Sequence, residues 1–314
     1  MAKKINEIDW LKLLKVDKDV FFNWFTLNEE EIISEEVKIK FYSLKCKDNK
    51  PDIDGFIKHL YGEVEKYVFD EEDIKELTED GYIPTEKALS YFGDIDPLTD
   101  GRYGELMLYL FVEAALQTPM VVHKIAQTYN NNDQIKGSDG LFIGNINNKA
   151  TILIGESKMR NNFNVCVSDV MDSLKRYINN SGAIDRELEV AKKHLSRDLN
   201  NLDENDLDLI YQSLRTKQEG FKEYSICYPA FLMYQEGKID KIINGDLIEV
   251  ENQVLKLIRS VKNRRSQYVK QSLPDISDIT LEFFMMPVQN VSSFREMCYQ
   301  VFHNGKKFKR EEKE

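Results

Sequence analysis

Apolar residues recur along this chain in short strand-like runs, separated by longer stretches with helical spacing. After residue 101 the order of these runs is regular. Strands are predicted around Asp139, around Glu156 and at residues 120–128, 224–234 and 279–286. Helices are predicted at residues 103–116, 165–178, 184–199, 205–217, 246–268 and 293–302. This part of the chain therefore has the pattern of an α/β fold.

The first hundred residues are less regular. Their pattern predicts a helical opening at residues 10–25, a β-like run at 37–44, a helix at 53–69, an acidic turn at 70–80 and a Pro- and Gly-containing passage at 81–100. We take that passage as a domain boundary, which gives an acidic N-terminal α+β region at 1–100 and a second domain at 101–314. The acidic region could dock a basic partner, cover the active site as a DNA mimic, or keep the chain soluble.

Two of the strands read as a hairpin around Asn-Ile-Asn-Asn-Lys. If the loop is residues 146–149, Asn145 pairs with Ala150, and counting inward places Asp139 directly across from Glu156. Cross-strand neighbours have Cβ atoms roughly 5 Å apart. Two carboxylates at that distance on one face of a sheet need a cation.

Lys158 joins this pair, because alternate residues of a strand point to the same face. Two oxygen ligands suit Mg²⁺, which keeps several waters, and Mn²⁺ is an alternative. A nearby lysine can orient the attacking water or offset charge on a phosphate. The residues predict a phosphodiester hydrolase; the alternative is that Glu156 and Lys158 form a surface ion pair without catalytic function.

Composition sets further limits. No apolar stretch approaches the roughly 20 residues needed to cross a bilayer, and the start of the chain lacks the apolar segment of a signal peptide. We therefore expect a cytoplasmic protein without membrane contact. The four cysteines have no CxxC spacing, so they predict neither a zinc site nor a disulfide framework.

The net charge of −11 is unevenly distributed, since residues 1–100 sum to −11 and residues 101–314 to zero. Residues 256–270 are basic and contain no acid, which predicts a surface for nucleic-acid phosphates. Its candidate contacts are Lys256, Arg259, Lys262, Arg264 and Arg265. The alternative is an ordinary solvated helix face.

The order helix, three strands, helix, strand is that of the restriction-endonuclease-like fold, a mixed β-sheet flanked by helices. Asp139 with Glu156-Ser157-Lys158 resembles the PD-(D/E)xK nuclease signature, with Ser138 where a proline often stands. Glu105, which follows Gly104, resembles the additional metal-ligating acid of many such nucleases. The resemblance implies that Asp139, Glu156 and Lys158 are catalytic, that Glu105 joins the two acids as a metal ligand, and that Ser157 offers the metal only its carbonyl.

The residues around this nuclease motif point to one family within the superfamily. Gly104-Glu105, Lys124, the run at 136–140 and the run at 153–158 are together similar to the HamA family, the nuclease subunit of the Hachiman anti-phage defence system. That family implies a helicase partner, HamB, and DNA as a substrate degraded without strong sequence preference. Two alternatives remain open: a stand-alone restriction or repair nuclease of the same fold, and a catalytically inactive adaptor that binds a partner through its acidic N-terminal region.

Overall fold

Strands and helices alternate through most of the chain in this computed structural model, which describes residues 4–123, 138–179, 182–214, 224–245, 249–275 and 279–310. The strands are β1 (Phe25–Ile32), β2 (Val37–Leu44), β3 (Cys46–Lys47), β4 (Lys50–Pro51), β5 (Gly140–Ile146), β6 (Lys149–Arg160), β7 (Ser225–Gln235) and β8 (Ile279–Val288). The α-helices are α1 (Lys18–Phe22), α2 (Ile53–Val68), α3 (Glu71–Glu79), α4 (Pro84–Leu89), α5 (Arg102–Phe111), α6 (Phe163–Asn179), α7 (Ala183–Lys193), α8 (Glu204–Ser213), α9 (Gly237–Ile243), α10 (Val250–Ser272) and α11 (Val291–Phe302). Short 3₁₀-helices lie at Ile5–Glu7, Trp10–Leu13, Ser90–Phe92 and Arg197–Asn201, and a π-helix, Val112–Leu116, continues α5.

Six strands form one mixed sheet in the order β1-β2-β8-β7-β6-β5. The four central strands, β2, β8, β7 and β6, run parallel to one another, and the edge strands β1 and β5 are antiparallel to β2 and β6. Strands buried on both faces are almost continuously apolar. This explains why β7 and β8 appear in the sequence as nearly continuous apolar runs rather than as alternating ones.

Helices cover both faces of the sheet. Ile152 and Ile154 of β6 pack in one core with residues of α6 and α10, and we call this side the α6 face. Leu153 and Met159 of the same strand pack in a second core with residues of α2, α5 and α11, and we call that side the α5 face. The alternation along β6 therefore decides which helices each site residue meets.

The sheet confirms the predicted mixed α/β architecture, which is consistent with a restriction-endonuclease-like fold. The predicted first strand, at 120–128, is described only as far as residue 123. There Met120 forms an antiparallel bridge with Phe142 of β5, and the Val121 amide donates to the Leu141 carbonyl at 3.0 Å. The order α5, edge segment, β5, β6, α6, β7 thus follows the predicted one.

The hairpin has the predicted register. Asn145 pairs with Ala150, and the ladder continues to Gly140 opposite Gly155. The loop is shorter than predicted, since Ile146 pairs with Lys149 and only Asn147-Asn148 turn the chain. Both asparagines have positive φ, 52° and 61°, the geometry that a two-residue hairpin turn demands and that asparagine tolerates.

Several predictions for the first hundred residues are wrong. The predicted helix at 10–25 is a 3₁₀-helix followed by the short α1, and β1 begins at Phe25. The predicted acidic turn at 70–80 is helix α3, which Asp70 caps by accepting from the Asp73 amide at 2.8 Å. The predicted strand at 37–44 is confirmed as β2.

The first hundred residues also belong to the main sheet and its cores. Strand β2 pairs with β8, with Val37 opposite Leu281. Phe56 of α2 lies in the same core as Leu108 of α5 and Phe231 of β7. A boundary at residue 100 would therefore divide one sheet and one core, although the regulatory or docking role assigned to residues 1–100 stays a prediction.

In the part of the chain that the structure describes, none of the helices combines the length and apolar character needed to cross a membrane.

Candidate active site

Glu156 and Lys158 lie on the α6 face near the end of β6, and the Lys158 ammonium donates to the Glu156 carboxylate. The prediction that these two side chains share a face is confirmed. Glu156 is only 4% exposed, so its charge is held by specific partners. Besides Lys158, the Ser173 hydroxyl of α6 donates to it at 2.9 Å and the Tyr228 hydroxyl of β7 at 3.5 Å.

Asp139 lies one residue before β5, so the ladder ends just short of the predicted pair with Glu156. Its amide donates to the Gly155 carbonyl at 3.0 Å. Its carboxylate accepts two hydrogen bonds from Ser157, one from the amide and one from the hydroxyl, each at 2.7 Å. The Ser157 hydroxyl therefore holds Asp139 in place, and the expectation that Ser157 offers the metal only its carbonyl stays a prediction.

Glu105 lies in the first turn of α5, on the opposite face of the sheet. The Tyr67 hydroxyl donates to its carboxylate at 3.0 Å and the Tyr91 hydroxyl at 3.3 Å. Helix α5 approaches β6 closely here, since a Cβ added to Gly104 would lie 3.1 Å from the Ser157 hydroxyl oxygen. The glycine therefore lets the first turn of α5 lie against the strand that carries the site.

Electrostatic coupling links the three acids. Burial raises the pKa of the Tyr67 hydroxyl well above its ordinary value, and the charges of Glu105 and Asp139 raise it further. Burial likewise raises the pKa of Tyr228, and the charges of Glu156 and Asp139 add to that effect. Asp139 thus acts on one tyrosine that contacts Glu105 and on another that contacts Glu156.

The donor set bears on the metal prediction. Among the described residues, no three or more Asp, Glu, His or Cys side chains form a group that could hold a metal ion. Mg²⁺ often takes only one or two protein carboxylates and completes its shell with water. Asp139 and Glu156 are two such carboxylates, and ligation of a metal by them and by Glu105 stays a prediction.

A further acid, Glu187 of α7, was not singled out from the sequence. Its carboxylate accepts from the amide of Ser138 at 3.2 Å, from the Ser138 hydroxyl at 3.1 Å and from the Tyr177 hydroxyl at 3.2 Å. Glu187 thereby fixes the residue directly before Asp139. No local pattern could have shown this, because the two partners are 49 residues apart in the chain.

Three of the six cations in the basic run at 256–270 on α10 form ion pairs within the chain. Arg259 and Lys262 both bind the Glu29 carboxylate of β1 at 2.6 Å, and these bonds lower the pKa of Glu29. Arg265 binds Glu236 at 2.9 Å. The three remaining cations, Lys256, Arg264 and Lys270, are exposed and form no ion pair with the described residues. Nucleic-acid binding by this run stays a prediction.

Two positions that support the resemblance to the HamA family, Lys124 and the segment 136–137, lie outside the described residues. Of the four cysteines, Cys166, Cys227 and Cys298 are buried and Cys46 is partly buried, and all four are free thiols.

The HamA family model matches residues 19–302 of the 314. The match begins in α1 and ends with α11, so it includes the strands of the first hundred residues as well as the site. A comparison with curated proteins gives no match.

Proposed function

Because the chain belongs to the HamA family of the Hachiman defence system, we propose that it is a metal-dependent deoxyribonuclease whose site is formed by Asp139, Glu156 and Lys158. The observation that carries the proposal is the Lys158–Glu156 contact at the end of β6, beside the Ser157-bound Asp139. A lysine bonded to a buried carboxylate next to a second carboxylate is the set of groups that phosphodiester hydrolysis uses.

Asp139 and Glu156 would hold Mg²⁺, with Mn²⁺ as a substitute, and the bound ion would supply an activated water and offset charge on the phosphate. The chain's own residues orient the ligands. Ser157 holds Asp139 from one side, while Ser173 and Tyr228 hold Glu156 from the other. Such outer hydrogen bonds fix ligand geometry before the metal and substrate arrive.

Lys158 has a chemical role distinct from that of the two metal-binding acids. Its ammonium is mostly buried, with 18% of the side chain exposed, and it lies against Glu156. A cation in a partly dry site stabilises the negative charge that develops on a phosphate more strongly than one in water. We assign Lys158 to this charge and to the position of the attacking water.

Family membership also supports a defence setting, in which this chain acts in the cytoplasm as the effector and a helicase, HamB, holds and controls it. We also propose degradation without strong sequence preference, as the resemblance to the HamA family implies.

The test is a cleavage assay of the purified chain on supercoiled plasmid and linear duplex, with Mg²⁺ and with EDTA. We expect Mg²⁺-dependent degradation that falls at least about 100-fold in Glu156→Ala and in Lys158→Ala, as expected when a charged group of a preorganised site is removed. Lys175→Ala on α6, whose ammonium binds Asp172 at 3.1 Å, is the matched control and should cleave like the parent.

Thermal unfolding of each variant separates a lost site from a lost fold. Full cleavage by folded Glu156→Ala or Lys158→Ala would rule out this site assignment.

A further inference from the structure

Arg176 of α6 connects solvent to the buried Glu156 through one hydroxyl group. Its guanidinium donates to the Ser173 hydroxyl oxygen at 2.7 Å, and Ser173 in turn donates to Glu156 at 2.9 Å. Ser173 is buried, whereas Arg176 is exposed. The arginine therefore lies at the entrance of the candidate active site on the α6 face, and its orientation is tied to that of Glu156.

Within the part of the chain that the structure describes, no ion pair neutralises the charge of Arg176. Among the described residues, no carboxylate lies within 4 Å of its guanidinium, although its helix neighbour Lys175 binds Asp172 and Arg160 binds Asp169 at 2.7 Å. The charge does reach the site: burial raises the pKa of both Tyr177 and Tyr228, and the positive charge of Arg176 opposes that shift in each.

This combination points to an anion from outside the chain. A guanidinium held in place by a hydroxyl keeps its remaining N–H donors for a planar, two-bond contact, which phosphate oxygens match well. Three cations of α10 are neutralised by ion pairs within the chain: Arg259 and Lys262 bind Glu29, and Arg265 binds Glu236. Arg176 forms no such pair with the described residues.

We propose that Arg176 binds a backbone phosphate of the nucleic-acid strand at the Asp139–Glu156 site, and that Ser173 couples this contact to the orientation of Glu156. The inference rests on the proposed nuclease function, and it adds a phosphate contact on α6 to those predicted on α10. Arg176 is thus a substrate-binding residue, and its variants change how strongly the strand is held as well as how fast it is cut.

The experiment measures binding of a labelled duplex oligonucleotide to the full chain in EDTA, where no cleavage occurs, over a series of KCl concentrations. Each phosphate contact contributes about 0.9 to the slope of log K against log salt concentration for duplex DNA. We expect Arg176→Ala to lower this slope by about one contact and to weaken binding by about tenfold. Arg176→Lys should restore the slope but not the full affinity, because an ammonium lacks the two-bond geometry.

Lys175→Ala removes the same charge one residue away and should leave the slope unchanged, because its ammonium is already paired. The inference is wrong if the slope of folded Arg176→Ala equals that of the parent, if Lys175→Ala lowers the slope equally, or if the parent binds no oligonucleotide.

The outcome also separates this inference from the nuclease proposal. A chain whose slope depends on Arg176 but which degrades nothing in Mg²⁺ would keep the phosphate contact and reject the nuclease. A chain that cleaves with Mg²⁺ and whose slope ignores Arg176 would reject the phosphate contact alone.

Discussion

Glu113 is a buried carboxylate that joins three segments of backbone. It lies in the π-helix that continues α5, is 1% exposed, and accepts from the amides of Lys15 at 2.9 Å, Val16 at 3.1 Å and Met120 at 3.0 Å. Burial raises the pKa of Glu113 from 4.5 to about 7, although the three hydrogen bonds oppose that shift. A single side chain therefore makes the attachment of the N-terminal segment sensitive to pH.

The sign of this effect leads to a prediction for Glu113→Gln. Between pH 4.5 and about 7 the folded parent keeps a proton that the unfolded chain has lost, so the parent loses stability as pH rises. The variant does not titrate there. Its free energy of unfolding, relative to the parent, should therefore rise by about 1–3 kcal/mol across this range.

Urea unfolding at several pH values measures this difference. Glu79→Gln is the control, since Glu79 is exposed and its substitution should give a difference that does not vary with pH. A constant difference for Glu113→Gln as well would show that Glu113 does not titrate in this range.

At the scale of single residues, contacts between near neighbours in a strand or hairpin can be predicted from the sequence. The Glu156–Lys158 contact follows from alternation alone, and the pairing of Asn145 with Ala150 follows from a short turn. Contacts such as Tyr67 with Glu105, 38 residues apart, depend on how helices pack and leave no local pattern.

Among the elements, α5 lies so close to β6 that the strand leaves no room for an added methyl group. A Cβ added to Gly155 of β6 would lie 2.7 Å from a terminal methyl carbon of Leu108, which is fully buried. We expect Gly155→Ala to lower the free energy of unfolding by about 1–3 kcal/mol, because a packed core resists an added methyl group.

Gly62→Ala is the matched control in α2. Nothing lies within 4 Å of the added Cβ, and alanine is favoured over glycine inside a helix, so this variant should gain about 0.5–1 kcal/mol. Chemical denaturation of the two variants beside the parent measures both changes in the free energy of unfolding, the decrease for Gly155→Ala and the increase for Gly62→Ala. A Gly155→Ala variant as stable as the parent would mean that α5 moves freely against β6.

The elements that were mispredicted share a physical reason. Strand β1 carries Glu29, Glu30 and Glu31 in succession, so it does not look like a strand, yet Glu29 is neutralised by cations of α10 more than 200 residues later. Helix α3 has few apolar residues, and Arg197 binds Asp70 and Asp73 to hold it in place. In both cases, cations that are distant in the sequence stabilise an element whose own residues have a weak propensity for that structure.

For the whole molecule, the sheet predicts that residues 101–314 do not fold without the first hundred. Removing residues 1–100 would expose the side of β8 that pairs with β2, and would uncover the apolar core that α2 shares with α5. We expect the 101–314 fragment to show no cooperative thermal transition, with the full chain unfolding cooperatively as the control. A fragment with a sharp transition and native circular dichroism would support a domain boundary at residue 100.

The pairing of β2 with β8 also determines when this sheet can close during synthesis. Val37 is made more than 200 residues before its partner Leu281. Until β8 is made, β2 has only β1 beside it, and β7 has only β6. Contacts between residues so far apart in sequence form slowly. The newly made chain therefore carries the strands of its site before it has a complete sheet to hold them.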